Sequence, residues 1–568
     1  MGEANVSEHV GMDRRSFLKG AGLIGAGAIA AAGLAGCAPK SESSASAGAS
    51  ASQSGASADN PDSWLNYSFM KRDAVGEPEE TVQCDLVICG GGGGGMAALL
   101  EANDLGLNAV LLEKKSQCGG TFAFAACGFY PNNKYAIEAG KEVDYNDLIK
   151  TIMTYNHYIP SYRLLKNFMN ETPETFEWLE NLGCELKYMN PTPGQAGPFA
   201  LGVTVRYAGG DDEGGTAGGK ALIKVMIDEA NNRGLDIRLE TAAKELVQDE
   251  SGAVTGVLAT DKSGKVIKFE APAVFVTTGG FANNADMVRE LGGVNPDRVI
   301  SPGYEGRDGD GIYMAHKAGA AWARGNGTMM FYGPHLPGPT WGEAVSNGVY
   351  QPTMWVDQTG RRFMNEGINN FAEVGNAIRD VKRLYVIQTA ADIDRITAED
   401  GMSGYSGQGG SQSPKDVYKQ LLDEEVQRGN DNIFVADTLD ELAEKIDVPV
   451  DNLKATAEAY TKAFEAGADE DFQKDPKYLS SMAEGPYYAF DCYDGFFTTI
   501  GGVKINEDLL AVDYEDNPIQ GLYVGGCDTG ALCGDIYDFT SAPGEQSSWA
   551  VNSGRLVAKH VAETLGKN

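Results

Sequence analysis

The chain has 568 residues, 42% of them hydrophobic, a formal net charge of −34 and a sequence pI near 4.5. Roughly 500 ordered residues exceed a single hydrophobic core, so at least two domains are expected. An exterior this acidic argues against nucleic acid and anionic lipid headgroups as partners, and it repels acidic small molecules unless local arginines intervene.

In chain order, Asp13-Arg14-Arg15-Ser16-Phe17-Leu18-Lys19 is followed by an Ala/Gly-rich apolar run from Gly20 to Gly36 and by Leu34-Ala35-Gly36-Cys37. This resembles a twin-arginine export signal fused to a bacterial lipoprotein cleavage box. It implies cleavage before Cys37, lipid on the Cys37 sulfur, and anchoring on the outer face of the cytoplasmic membrane. Residues 37–63 are rich in Ser, Ala and Gly and read as a flexible tether, lacking the apolar mass to offset chain ordering. The nine cysteines include no metal-binding cluster and no C-x-x-C-H haem sequence. Those after Cys37 read as core residues rather than disulfides, because several sit in apolar or glycine-rich segments.

Cys84 to Lys115 organises the rest. Asp85–Cys89 suits a short buried parallel strand, six glycines open a helical pattern, and Ala109–Leu112 is a second strand ending at Glu113. In a G-x-G-x-x-G reading, Gly90 makes the tight turn, Gly92 lets a pyrophosphate approach, and Gly95 permits close helix–strand packing. Glu113 stands where a carboxylate accepts ribose hydroxyls, with Lys114 beside it, and the pyrophosphate sits on the helix N-terminus. The loop Gly119-Gly120-Thr121 is placed to meet the pyrophosphate and the chain beyond it. Tyr145–Leu186 reads as mainly helical scaffold.

A second βαβ-like section follows: a helix over Gly218–Arg233, then strands at Asp236–Leu239, Ala243–Gln248 and Ala253–Ala259. Residues 266–278 are expected as one strand returning to the central sheet and ending at Gly279-Gly280. Backbone at Ala243 is placed to grip adenine, and Gly279 permits close approach by a cofactor or strand. Glu305–Gly311 opens a helix through Ala320. Thr353–Val356 and Thr359–Asn365 suggest a hairpin, with Arg361, Arg362 and Glu366 forming a polar cluster able to face a cleft; surface salt bridges account for them as readily. Thr438–Ile446 and Asn452–Ala466 are amphipathic helices. Near the C-terminus, Gly521–Gly526 is a strand ending in glycines. Pro543-Gly544-Glu545-Gln546-Ser547-Ser548 begins a helix whose N-terminus suits an electron-rich ring edge.

These segments resemble the flavoprotein of the fumarate reductase and succinate dehydrogenase superfamily. The match rests on ICGGGGGGMAALLEA, LLEK, TTGGFANN, DGDGIYMAHKAGA, GRRFMNEG, TTIGGVKI, GLYVGG and the closing PG…GR, in family order across residues 80–565. The resemblance implies an α/β fold: an FAD-binding Rossmann-like domain of the glutathione reductase type, interrupted by an α+β capping domain. The expected division is 64–320 and 497–568 for the FAD domain and 321–496 for the cap. It also implies non-covalent FAD, held by Gly90, Gly92, Gly95, Glu113, Lys114, Gly119, Gly120, Thr121, Ala243, Gly279, Gly526, Gly544, Ser547 and Ser548.

Carried onto this chain, the family's dicarboxylate groups are missing. The proton-donating arginine falls on Asn370, the histidine pair on Phe497 and Thr498, and a carboxylate-binding arginine on Ser541. A further histidine falls near Met329 or Met330, with His335 a substitute after a loop shift. Burying a dicarboxylate without these partners is unfavourable. A bulky, weakly charged acceptor is therefore expected: an enone, a steroid-like ketone, an aryl enoate or a polyphenol-like compound. Tyr332, His335 and Tyr537 are the candidate proton donors, Arg307 the candidate group for a carbonyl or single carboxylate, with Arg361 and Arg362 in the same role. With no haem sequence and no second nucleotide region, electrons are expected from a separate membrane or surface protein. The alternatives are a ketosteroid-dehydrogenase-like enzyme running oxidatively and a non-catalytic FAD-bound relay lipoprotein.

Overall fold

The computed structural model describes residues 67–188, 199–209, 217–301, 303–323, 327–334, 344–368, 371–399, 401–402, 413–530, 532–534, 537–538 and 541–567. Cys37 and the segments read as signal and tether lie outside the described residues. The elements that build the site are, in chain order, β1 (Leu86–Cys89), α1 (Gly93–Asp104), β2 (Ala109–Leu112), β3 (Asp236–Arg238), β4 (Ala273–Val276), β5 (Tyr487–Ile500), β6 (Pro518–Val524) and α2 (Glu545–Thr564).

The central sheet has six strands in the order Leu510–Val512, β6, β4, β1, β2, β3; all pairs are parallel except the first. Strands β1, β2 and β4 are buried at every position, which is why they read as unbroken apolar runs. Helix α1 is buried from Gly93 to Ala102, with Glu101 the one charged residue in that run, because the sheet covers one side and α2 the other. Arg555 on α2 ties this layer together, its Nε donating to Glu101 Oε2 at 2.9 Å and its Nη1 to Thr175 Oγ1 at 2.8 Å.

Residues 266–278 do not form one strand. Val266–Glu270 pairs with Glu80–Gln83 and Val254–Asp261 in a separate four-stranded sheet, and only β4 joins the central sheet. Pro272, which has no N–H to give a ladder, marks the break.

The second sheet system is strung on β5, a strand of 14 residues. Its first half pairs with Leu384–Thr389 and Ile433–Ala436, and its second half with Val299–Ile300 and Gly327–Pro334. The hairpin expected at residues 353–365 is not formed. The turn closes, Gly360 N–H donating to the Asp357 carbonyl, but Met354–Asp357 takes Leu384–Thr389 as its partner. Thr359 to Arg361 instead wraps the Asp357 carboxylate, which accepts the Thr359 N–H and hydroxyl and the Arg361 N–H. The helices expected near 438–446 and 452–466 are observed as Leu439–Lys445, capped by Thr438, and Val450–Ala466. All eight cysteines among the described residues are free thiols.

Candidate active site

The C-terminal ends of β1, β2, β4 and β6 open onto one elongated cleft with about 1640 Å³ of free space, part of it open to solvent. This is where a doubly wound sheet receives its ligand. Gly90, at φ 113°, turns the chain out of β1, and a Cβ on Gly95 would stand 1.9 Å from the Gly90 carbonyl oxygen. Gly92 is the N-cap of α1 and no side chain caps the helix; a Cβ there meets nothing of the protein within 4 Å. The first turn of α1 therefore presents uncapped N–H groups to an approaching anion.

Glu113 closes β2 and serves the loops around it. Its Oε2 accepts the Gly91 N–H and its Oε1 the Lys115 N–H, both at 2.8 Å. Lys114 lines the cleft with its ammonium shared between Asp308 (2.9 Å) and Asp310 (2.6 Å). Gly120 and Thr121 line the next stretch, where the Thr121 hydroxyl is buried without a protein partner. Ala243, Gly279 and Gly526 also line the cleft. An orphaned hydroxyl, a glycine cradle and a bare helix N-terminus fit a dinucleotide lying along the cleft.

At the far end stands the N-terminus of α2. Its N-cap Gly544, at φ 85°, also has no side-chain cap, and the Ser547 hydroxyl donates to the Cys127 carbonyl at 2.6 Å. Tyr537, 3% exposed, lines the cleft, and its hydroxyl accepts the Gly544 N–H at 2.6 Å. Burial pushes its phenol well above the ordinary tyrosine range, so it holds its proton. Phe497, Thr498, Arg307, Phe124, Cys527 and Gln546 line the cleft as well.

Several expected site residues lie elsewhere. Arg362 is held in an ion-pair network, donating to Glu366 Oε1 and Oε2 (2.7 Å each) and to Asp469 Oδ2 (2.9 Å), with its guanidinium over Phe472. Arg361 is exposed and reaches Asn452 at 3.3 Å. Both belong to the outer sheet system, not the cleft. Ser541 is buried off the cleft, its N–H donating to Asp538 Oδ1 at 2.7 Å. Ser548 faces inward, accepting the Phe129 N–H at 3.1 Å, so it positions a strand beside the cofactor cleft rather than lining it. Gly95 and Gly119 shape the loop from behind, the Gly119 N–H donating to the Gly91 carbonyl. Tyr332 pairs with Asp494 on strand Gly327–Pro334, and His335 and Asn370 lie outside the described residues.

Three residues were not anticipated. Asp528, fully buried, accepts the Gly280 N–H at 2.8 Å together with the Thr278 N–H and hydroxyl, and so fixes the loop after β4. Cys527 and Gln546 line the cleft directly. The sequence signal for the first two was the Cys-Asp pair after Gly525-Gly526, directly beyond β6.

Residues 85–539 match the family model described as FAD binding domain. The chain belongs to that family.

FAD is its cofactor, and it is an FAD-dependent oxidoreductase of the fumarate-reductase-like class whose named relatives act on CH–CH and C=C bonds. It is similar to the vinyl phenol reductase of Lactiplantibacillus plantarum, 29% identical over 491 residues, which are 84% of this chain and 96% of the relative. It is also similar to the fumarate reductase (cytochrome) of Shewanella frigidimarina, 28% identical over 501 residues, covering 86% of this chain and 79% of the relative. Among solved structures, 3-ketosteroid Δ1-dehydrogenase from Sterolibacterium denitrificans superposes with a TM-score of 0.69 at 19% identity, over 85% of this chain and 100% of that one. The fold class expected from the sequence is the one observed.

Proposed function

We propose that the enzyme reduces an activated C=C bond of a bulky, weakly charged organic acceptor. The observation that carries this reading is Tyr537: a buried, protonated phenol held at the N-terminus of α2, in a cleft also lined by Phe124 and Phe497. FAD, when bound and reduced, would supply the hydride that the β-carbon receives. Tyr537 supplies the proton to the α-carbon and regains one from solvent. Phe124 and Phe497 align a flat substrate and exclude water, and the bare N-terminus of α2 favours negative charge beside it. Gly90 and Gly92, the N-terminus of α1, Glu113, Gly120, Thr121 and Ser547 would hold the dinucleotide, without a covalent bond.

Electrons reach the flavin from a separate protein on the membrane or cell surface. Twin-arginine export and lipid on Cys37 hold the enzyme on the outer face of the cytoplasmic membrane. A Cys37→Ala variant released from membranes, against a retained wild type, tests the anchor.

The central test is anaerobic reoxidation of dithionite-reduced holoenzyme, followed at the flavin absorbance, with enones, aryl enoates, steroids, polyphenols and fumarate. Rapid reoxidation by one bulky class is expected, slowed on the order of a hundredfold or more in Tyr537→Phe. Reoxidation by fumarate alone overturns the reading. Bleaching of the oxidised enzyme by a saturated substrate assigns the same residues to the oxidative direction.

A further inference from the structure

Two arginines are buried among the described residues, and they are treated differently. Arg555 faces the buried carboxylate of Glu101 at 2.9 Å. Arg307, 4% exposed, faces none. Its Nε donates to Asn283 Oδ1 (3.1 Å) and to the Tyr304 carbonyl (2.8 Å), its Nη2 to Ser301 Oγ (3.0 Å), and its Nη1 to the Phe497 carbonyl. All four acceptors are neutral, and Arg307 forms no ion pair among the described residues. The nearby carboxylates are committed elsewhere. Asp308 and Asp310 both take Lys114, and Asp528 takes the Thr278 and Gly280 N–H groups.

Burial lowers the guanidinium to about 10, which leaves it charged at neutral pH. A buried cation without a counter-charge destabilises a fold, and here it persists in a chain with an excess of acidic side chains. Arg307 also lines the cleft, against Phe497, in the company of Thr498 and Tyr537. The other cations lining the cleft are Lys114, already ion-paired with Asp308 and Asp310, and Lys115, 3.9 Å from Glu305.

We propose that Arg307 is the carboxylate-recognition residue of the acceptor site and that the acceptor is an aromatic enoic monoacid. This rests on the reading of the cleft as a C=C reductase site and narrows it. One unpaired cation matches one carboxylate, and the other two cations lining the cleft already face carboxylates. The aromatic walls accept the ring. Hydride addition at the β-carbon pushes the C=C electron pair toward the α-carbon and the carboxyl oxygens. Arg307 holds that charge until the Tyr537 hydroxyl delivers its proton to the α-carbon. The electron pair comes from the reduced flavin, which an external donor protein refills, and the carboxylate leaves unchanged.

The test uses oxidised holoenzyme titrated with cinnamate and with methyl cinnamate, its neutral ester, reading the perturbation of the flavin absorbance band. The wild type is expected to bind the acid at least tenfold more tightly than the ester. In Arg307→Gln the acid should weaken at least tenfold and the ester less than threefold. Arg307→Lys, which keeps the charge and offers a variant should the glutamine form not fold, should retain a reduced preference for the acid. Equal weakening of acid and ester overturns the proposal, because that is the signature of a residue that merely anchors the Phe497 carbonyl. Loss of FAD with acid binding intact after reconstitution overturns it too, because Arg307 would then serve the cofactor. A wild type without preference for the acid overturns it outright. If the preference holds but no acceptor reoxidises the flavin, the reductase reading fails instead.

Discussion

Gly554 of α2 lies directly on Gly94 of α1: a Cβ at position 554 would stand 2.1 Å from the Gly94 carbonyl oxygen. The obstacle is backbone, which no side-chain rotation relieves. Gly554→Ala must therefore push α2 off α1 and carry with it the α2 N-terminus that faces the cleft. A loss of about 1–3 kcal/mol is expected in urea unfolding, together with reduced FAD content in the purified protein.

Gly92 and Gly95 answer to different demands. Alanine at 92 enters open space and its φ of −79° is ordinary, whereas alanine at 95 meets the Gly90 carbonyl at 1.9 Å. Gly92→Ala should leave the apoprotein as stable as wild type, within about 0.5 kcal/mol, while weakening FAD at least tenfold. Gly95→Ala should fail in both respects. Thermal unfolding of apoprotein beside flavin titration separates the two.

Arg362 and Arg361 are neighbours in sequence with opposite fates. Arg362→Ala strands the Glu366 carboxylate, whose remaining cation is the buried Lys474 at 3.3 Å. A loss of about 3–5 kcal/mol is expected. Arg361→Ala removes only an exposed contact and should change stability by less than about 0.5 kcal/mol. Denaturant unfolding of the two variants measures both.

His316 packs its ring on Trp322 with centroids 4.6 Å apart, and its Nδ1 lies 2.8 Å from the Ala320 carbonyl. Burial lowers the imidazole from 6.5 to about 4, against a smaller opposing effect of the Ala320 and Gly502 carbonyls. Between those values the unfolded chain binds a proton that the folded protein refuses. Its stabilising contribution is therefore complete above pH 6.5 and lost as pH falls toward 4, by on the order of 2 kcal/mol. In His316→Gln that part of the acid dependence should vanish, as seen by comparing unfolding of the two proteins at pH 7 and pH 4.5.

The glycine turn, strands β1 and β2, the helices at 439–445 and 450–466, and the bare N-terminus of α2 were all legible in the sequence. Each rests on local rules: apolar runs of strand length, helical periodicity, and glycine where a side chain would block the turn. Local rules misled at Pro272, where one apolar run supplies two sheets, and at Asp357, where a good turn is followed by no return strand. In both places the outcome is decided by segments tens of residues away or more.

The amino-acid sequence alone determined the dinucleotide fold and its cofactor, because turn chemistry and burial pattern are properties of neighbouring residues. Only the tertiary structure decided which charges survive at the cleft. Arg362 and Arg307 look alike in the chain, yet Asp469, more than a hundred positions on, joins Glu366 in neutralising the first, while Asp308 and Asp310 turn to Lys114 and leave the second buried among neutral acceptors. Charge compensation is settled by distance in space, and that distance exists only once the chain has folded.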